Sequence, residues 1–229
     1  VTDPPTDETA DVDAVDTDDT DDTDEARDGV GVGPWTGEWP DDPRYDAELL
    51  AHGDRRNVVD RYRYWRREAI VADLDAHRHD MHVAIENLRH DFNIGSVVRT
   101  ANAFLVKEVH VVGRRRWNRR GAMVTDRYQH VRHHQDVESL LAWAHGEGLA
   151  VVGIDNLPGS VPLEETRLPR HAVLLLGQEG PGLSPAARDR LDLVVSIAQF
   201  GSTRSINVGA AAAIAMHTWV RQHVIDHAT

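Results

Sequence analysis

Ile197-Ala-Gln-Phe-Gly-Ser-Thr-Arg-Ser-Ile-Asn-Val-Gly-Ala-Ala-Ala-Ala-Ile214 is the stretch that decides the fold. A β-branched run ending at Ile197 gives way to small and polar residues, and these lead into a tract that is almost all alanine. That order predicts a strand, a loop and a helix. Ser205 stands where an N-cap would, its hydroxyl placed to accept from N–H groups of the first turn. Gly209 and Ala210 to Ala213 leave the helix surface bare, so another backbone can approach it closely. Taken alone, the stretch is also what a packed core helix with an ordinary cap would show.

Working outward, the chain alternates in the manner of an α/β protein. Strands are expected at Met81–Ile85, Glu108–Val112, Leu149–Ile154, Ala172–Leu176 and Leu193–Ile197. Helices are expected between them at Ile94–Leu105, Val137–Glu147, Pro185–Leu191 and Ser205–His223. Nearly continuous apolar strands such as Ala-Val-Leu-Leu-Leu predict a parallel sheet covered on both faces. A dinucleotide-binding unit is disfavoured. No strand leads into Gly-x-Gly-x-x-Gly, and Val112 is followed by Gly113 and arginines rather than by an acid for a ribose.

The first eighty residues read differently. Residues 1–30 hold thirteen acids against Arg27 alone, so nearly all of the net charge of −13 belongs there, and the other 25 acids and 24 bases almost balance. Asp, Thr and Pro with few apolar residues predict a disordered tail, either a solubilising segment or an acidic mimic competing for a basic face. Residues 31–80 read as a Gly/Pro linker, with Trp35 and Trp39 suited to docking, followed by a helical extension interrupted at Gly53. The principal domain is expected over 81–229. The chain lacks cysteine, which excludes disulfide and thiolate chemistry. It has no apolar run long enough to span a membrane, and its acidic start is unlike a signal peptide, so a soluble, cytoplasmic protein is expected.

Between Lys107 and Arg132 the chain concentrates positive charge: Arg114, Arg115, Arg116, Arg119, Arg120, Arg127 and Arg132, with Trp117 and Tyr128 interleaved. Guanidinium groups fork onto phosphate and aromatic rings stack on bases, which points to RNA, although a solvated basic helix has the same composition. His133, His134 and the other histidines show no ligand spacing with a matching carboxylate or cysteine. They are expected at the surface or against RNA, and no metal is expected.

Three loops carry the candidate chemistry. Asn93-Ile-Gly-Ser-Val-Val-Arg99 opens a helix, with Arg99 close to two turns on and able to reach back toward the loop; a salt bridge to Glu86 or Asp91 is the alternative. Gly177-Gln-Glu-Gly-Pro-Gly182 leaves a buried strand, with Glu179 the one charge among three glycines, and runs to Ser184 as N-cap and Pro185 in the first turn. The third is Ser205-Ile-Asn207, where an asparagine inside a helix would have little structural reason to be.

In order and in strand-then-loop context, these loops resemble the three motifs of the SpoU/TrmH branch of the SPOUT RNA methyltransferases: Asn93-x-Gly-x-x-x-Arg99, Gly177-x-Glu179-x-x-Gly182 and Ser205-Ile-Asn207-Val. The resemblance covers roughly His82 to His223. It implies an α/β knot, a mostly parallel sheet flanked by helices with a C-terminal trefoil knot, here with a helical N-terminal extension. It further implies a homodimer that moves a methyl group from S-adenosyl-L-methionine to a ribose 2′-hydroxyl of tRNA, a D-loop guanosine first, or of rRNA. By position Gly177, Gly182, Ile197 and Ile206 would hold the cofactor, and Arg99, Asn93, Glu179, Ser205 and Asn207 would form the catalytic set. DNA, which lacks the 2′-hydroxyl, is excluded as substrate. A non-catalytic RNA-binding protein on the same fold is the alternative. One departure stands out: the third motif commonly has proline after its isoleucine, and here Ala198 follows Ile197.

Overall fold

The computed structural model describes residues 31–87, 93–178 and 180–226. The expectations for the acidic tail 1–30, for Asp91 and for Glu179 lie outside the described residues. The chain divides into two compact units, one ending at Trp65 and the other beginning at Arg66.

In the first unit, α1 (Ala47–His52) starts where the Asp46 carboxylate accepts from the N–H groups of Glu48 and Leu49, and stops at Gly53, whose φ of 94° other residues rarely adopt. The break expected at Gly53 is therefore a helix end. Trp35 docks within this unit, edge-on to Tyr64 and Tyr45 with ring centroids 5.3 and 6.0 Å away, whereas Trp39 is half exposed.

The second unit opens with α2 (Arg67–Asp75) and then alternates as β1 (Met81–Asn87), α3 (Ile94–Ala103), β2 (Val109–Gly113), β3 (Val131–His134), α4 (Val137–Gly146), β4 (Ala150–Ile154), β5 (Val161–Pro162), β6 (Ala172–Leu176), α5 (Pro185–Arg188), β7 (Leu193–Ser196) and α6 (Val208–Val220). The strands form one sheet in the order β3-β2-β1-β6-β4-β7-β5, and every pairing is parallel. Alternate residues of β1 feed two cores. Met81, Val83 and Ile85 pack with α3 and α6, while Ala84 packs with α4. The centre of the sheet is β6, whose five residues are all buried. Each of its leucines contributes about 1.5–3 kcal/mol by leaving water, so burial on both faces fixes this strand inside the sheet rather than at an edge.

Helix starts follow local chemistry. Asp136 accepts from the Ser139 N–H and Ser139 closes a capping box at α4, and Ser184 with Pro185 starts α5 as the sequence predicts. One start differs. The sequence places the cap of the last helix at Ser205, but α6 begins at Val208 and its cap is Asn207, whose side-chain oxygen accepts from the N–H groups of Gly209 and Ala210. The shorter side chain of Ser205 lies two residues too early to reach those donors. Asn207 is consequently not inside a helix, and its presence has a local reason after all.

Two strands escape the sequence pattern. Val131-Arg-His-His134 has no apolar run because it is an edge strand with one buried side chain, His134, and β5 is only two residues long. Among the described residues no helix is long and apolar enough to cross a membrane.

Candidate active site

The carboxyl ends of β6, β4 and β7 open onto one cavity of about 430 Å³, lined by Gly177, Gly182, Ile197, Ser205, Ile206 and Asn207 among others. Six of the sequence-predicted site residues, from the second and third loops, thus come together at the strand ends. Open parallel sheets commonly place ligands there.

The second loop is a backbone cradle. Gln178 and Gly182 exchange N–H···O bonds of 3.0 Å in both directions, which folds the loop back over its own start. A Cβ on Gly177 would stand 2.1 Å from the carbonyl carbon of Gly182 and from the nitrogen of Leu183. Glycine is therefore required at 177 by the loop's own return. Gly182, at φ 72°, is pressed by Asp155, whose carboxylate also accepts from the Leu183 N–H at 2.9 Å. Arg188 closes the outside, donating to the carbonyls of Leu183 (2.7 Å) and Pro181 (3.2 Å).

The loop is tied to β1 by Glu86. This fully buried carboxylate accepts from the Ser184 N–H at 2.8 Å through one oxygen, while the other has no partner among the described residues. Burial pushes its pKa above the ordinary value, against the opposing hydrogen bonds from Ser184. Glu86 is buried and makes no ion pair with the exposed Arg99, so the salt bridge that the sequence allowed between them is not formed. Next to it, Asn87 donates to the carbonyls of Arg114 (2.6 Å) and Arg116 (3.0 Å), shaping the start of the basic segment.

The first and third loops meet through two asparagines. The side-chain amide of Asn207 donates to the side-chain oxygen of Asn93 at 3.0 Å, while its own oxygen caps α6. One turn into the two helices, a Cβ on Gly209 would lie 2.7 Å from the Ser96 hydroxyl oxygen, which is why α6 is bare there. Arg99 lies a turn further along α3, exposed, and is not among the residues lining the cavity. At the other departure point, the Ala198 N–H donates to the Glu164 carboxylate at 3.0 Å. A proline could not make that bond, so the chain exchanges a rigid ring for an anchored amide.

The basic segment is split. Gly95 of α3 packs so closely on 121–122 that a Cβ would stand 2.6 Å from the nitrogen of Ala122. This holds the tight turns carrying Arg119, Arg120 and Arg127 against the first turn of α3, close to Asn93. Arg119 also stands over the Trp117 ring at 5.9 Å. The backbone is not a regular basic helix; Met123 and Val124 even take positive φ, unusual for a β-branched side chain. Arg132 sits apart, at the start of β3 near the opposite end of the sheet, bonded to Glu108 at 2.9 Å and lying over Trp143. It does not join the group expected to grip RNA.

The expectation of surface histidines needs a further correction. His82, His110 and His134 are buried and stand in a row, Nδ1 of His82 3.0 Å from Nε2 of His110, and Nδ1 of His110 2.9 Å from Nε2 of His134. They come from three adjacent strands, so no spacing in one segment announces them. Burial, reinforced by Lys107 and Arg132, lowers His82 to about 4. Burial and the neighbouring imidazoles lower His110 to about 2. Both are neutral at pH 7.

Sequence reasoning misses Asp155, Asn87 and Gln199, and it names Glu86 only as a partner for Arg99 rather than for Ser184. Acids that directly follow or end apolar strand runs, as Asp155 and Glu86 do, are the signal that was present. For Gln199, whose buried side-chain oxygen has no partner among the described residues, there was none.

An all-parallel sheet with a glycine-built loop and a cavity of mixed polar and apolar lining at its strand ends defines an α/β fold with a ligand site at its carboxyl edge. Residues 80–217 match the SpoU rRNA Methylase family, and the chain belongs to it. It is similar to the tRNA (guanosine(18)-2′-O)-methyltransferase of Escherichia coli (strain K12), with 28% identity over 160 residues, 68% of this chain and 70% of that one. An uncharacterised tRNA/rRNA methyltransferase of Mycobacterium sp. (strain KMS) is 35% identical over 147 residues, 61% of this chain and 46% of that one. Among solved structures, the SpoU methyltransferase AviRb from Streptomyces viridochromogenes in complex with AdoMet superposes with a TM-score of 0.59 and 25% identity, over 66% of this chain and 61% of that one. The A. aeolicus TrmH/SpoU tRNA modifying enzyme shares the fold, with a TM-score of 0.63 at 21% identity over 70% of this chain and 84% of that one.

Proposed function

We propose that this chain methylates a ribose 2′-hydroxyl of tRNA or rRNA with S-adenosyl-L-methionine as donor, a tRNA guanosine being the first substrate to test. The observation that carries the proposal is the single cavity shared by the Gly177–Gly182 and Ile197–Asn207 loops. The cofactor fits the residues present. The turned-back loop offers backbone groups at Gly177 and Gly182, Ile197 and Ile206 offer apolar surface, and the buried oxygen of Gln199 has no hydrogen-bond partner among the described residues. Bound there, the cofactor supplies a methyl group activated by its sulfonium.

The chain's own side chains then act on the hydroxyl. A ribose hydroxyl is a poor nucleophile at neutral pH, so it must be positioned and its developing negative charge stabilised. Arg99 takes the second role as an electrostatic clamp on the alkoxide and the neighbouring phosphate. A guanidinium does not surrender its proton readily, so Arg99 is not the base. Asn93 and Asn207, locked to each other, hold the first and third loops in register. Ser205 faces the ribose or phosphate from the cavity rim, and the role assigned to Glu179 is to orient Arg99 or its own loop. Arg114, Arg115, Arg116, Arg119, Arg120 and Arg127 grip RNA phosphates. The active form is a homodimer.

Calorimetric titration with S-adenosyl-L-methionine, followed by mass-spectrometric mapping of ribose methylation on tRNA and rRNA, tests the reading. Cofactor binding and a 2′-O-methyl mark that disappears in Arg99→Ala support it. Failure to bind the cofactor, with RNA binding intact, would favour a non-catalytic RNA-binding protein.

A further inference from the structure

A second cavity, about 550 Å³, lies at the amino-terminal edge of the sheet, lined by Asp80, His82, Lys107, Glu108 and Arg132 among others, away from the family motifs. We propose that His82, Glu108 and His110 bind one divalent transition-metal ion of the zinc class there, with a coordination position open to this cavity. The proposal is independent of the methyl-transfer reading, and its test reads metal rather than activity.

Strand geometry assembles the ligands. Glu108 and His110 are two residues apart and so share a face, and the β1–β2 register sets His110 opposite Ala84, which shares its face with His82. The Nε2 of His110 is the common point, 3.0 Å from Nδ1 of His82 and 3.9 Å from Oε2 of Glu108. The three ligand atoms lie within 4.8 Å of one another. Donors bound to one tetrahedral zinc at about 2.0–2.2 Å stand roughly 3.3–3.5 Å apart, and the observed separations bracket that value. Neutral imidazole with a carboxylate is a donor set zinc accepts.

The surroundings orient these atoms as a metal site requires. The other nitrogen of His110 faces His134 at 2.9 Å, so a proton on Nδ1 leaves Nε2 with its lone pair toward Glu108 and His82. Arg132 donates at 2.9 Å to the same Glu108 oxygen, Oε2, that faces His110, so an ion there would share this oxygen with the guanidinium. Lys107 and Arg132 at the cavity oppose a cation, and the carboxylates of Asp80, Glu108 and Glu147 offset them. The competing arrangement is a row of neutral imidazoles bonded only to each other, which needs no ion.

Zinc titrated calorimetrically into untagged, chelator-stripped full-length protein separates the two. We expect one tight ion per chain, visible absorption of four-coordinate cobalt in its place, and at least about tenfold weaker binding in His82→Asn and Glu108→Gln, with thermal melts confirming that both variants fold. X-ray absorption at the zinc edge of the unaltered protein, expected to show two imidazoles with oxygen ligands, needs no variant. No tight binding, an unchanged affinity in both folded variants, or a ligand shell of oxygen alone would overturn the proposal.

Discussion

The two ends of β1 carry the same kinds of polar side chain and use them in opposite ways. At the amino-terminal end, His82 bonds to another side chain, which bonds to a third, each from its own strand. At the carboxyl end, Glu86 and Asn87 bond to backbone: to the N–H of Ser184 in one case and to the carbonyls of Arg114 and Arg116 in the other. Side chains that hold one another make a compact polar cluster and leave loops alone. Side chains that hold backbone shape the loops and leave the cavity lined by glycine, isoleucine and exposed amides. The carboxyl end thus shapes its cavity through loops held by side chain to backbone bonds, and the amino-terminal end through side chains that hold one another.

Five substitutions at the carboxyl end test whether the two ends are separable, and each should leave zinc affinity unchanged. The largest effect is expected from Gly177→Ala. Its Cβ has no room beside Gly182 and Leu183, so the loop must open, with loss of the cofactor's calorimetric signal and a destabilisation of about 1–3 kcal/mol. Arg99→Ala should lower turnover by roughly a hundred- to a thousandfold in single-turnover assays while cofactor affinity stays the same. A reduction in affinity instead would place Arg99 in the cofactor site.

Asn207→Ala removes both the α6 cap and the bond to Asn93. A cost of about 1 kcal/mol is expected, a drop in melting temperature of roughly 2–4 °C by scanning calorimetry; Ser205→Ala should leave the melt unchanged because Ser205 is not the cap. Glu86→Gln should have a small effect of the opposite sign. A carboxyl whose folded pKa is raised contributes stability that is full below its unfolded value, 4.5, and is lost as pH rises through the raised one. The glutamine variant keeps an acceptor for Ser184, so it should melt higher than the parent near pH 7 and equal to it below pH 4.5. A lower melt at pH 7 would mean that the charge itself braces the loop.

Much of the carboxyl end was legible because its signals are local. Gly177 to Gly182 and Ser205 to Asn207 each sit between a strand and a helix, and short-range pattern identifies both. The cap of α6 was misplaced by two residues because Ser and Asn serve equally well as caps, and only the position of the first turn chooses between them. Arg132 was grouped with its neighbours in sequence, yet a strand of four residues carries it toward the other end of the sheet. The histidine row was illegible for a related reason: its members are 28 and 24 residues apart along the chain, and parallel pairing alone makes them neighbours.

By itself the sequence determined the alternating α/β order, the buried central strand, the three loops and the family to which they belong. Those depend on hydrophobic period and residue type within a few positions. The tertiary structure alone decided that Asn93 meets Asn207, that Glu86 braces Ser184, that Ala198 is anchored by Glu164 and that His82, Glu108 and His110 share one corner. These are contacts between segments brought together by strand register and helix packing, and no local pattern encodes a register set by the whole sheet.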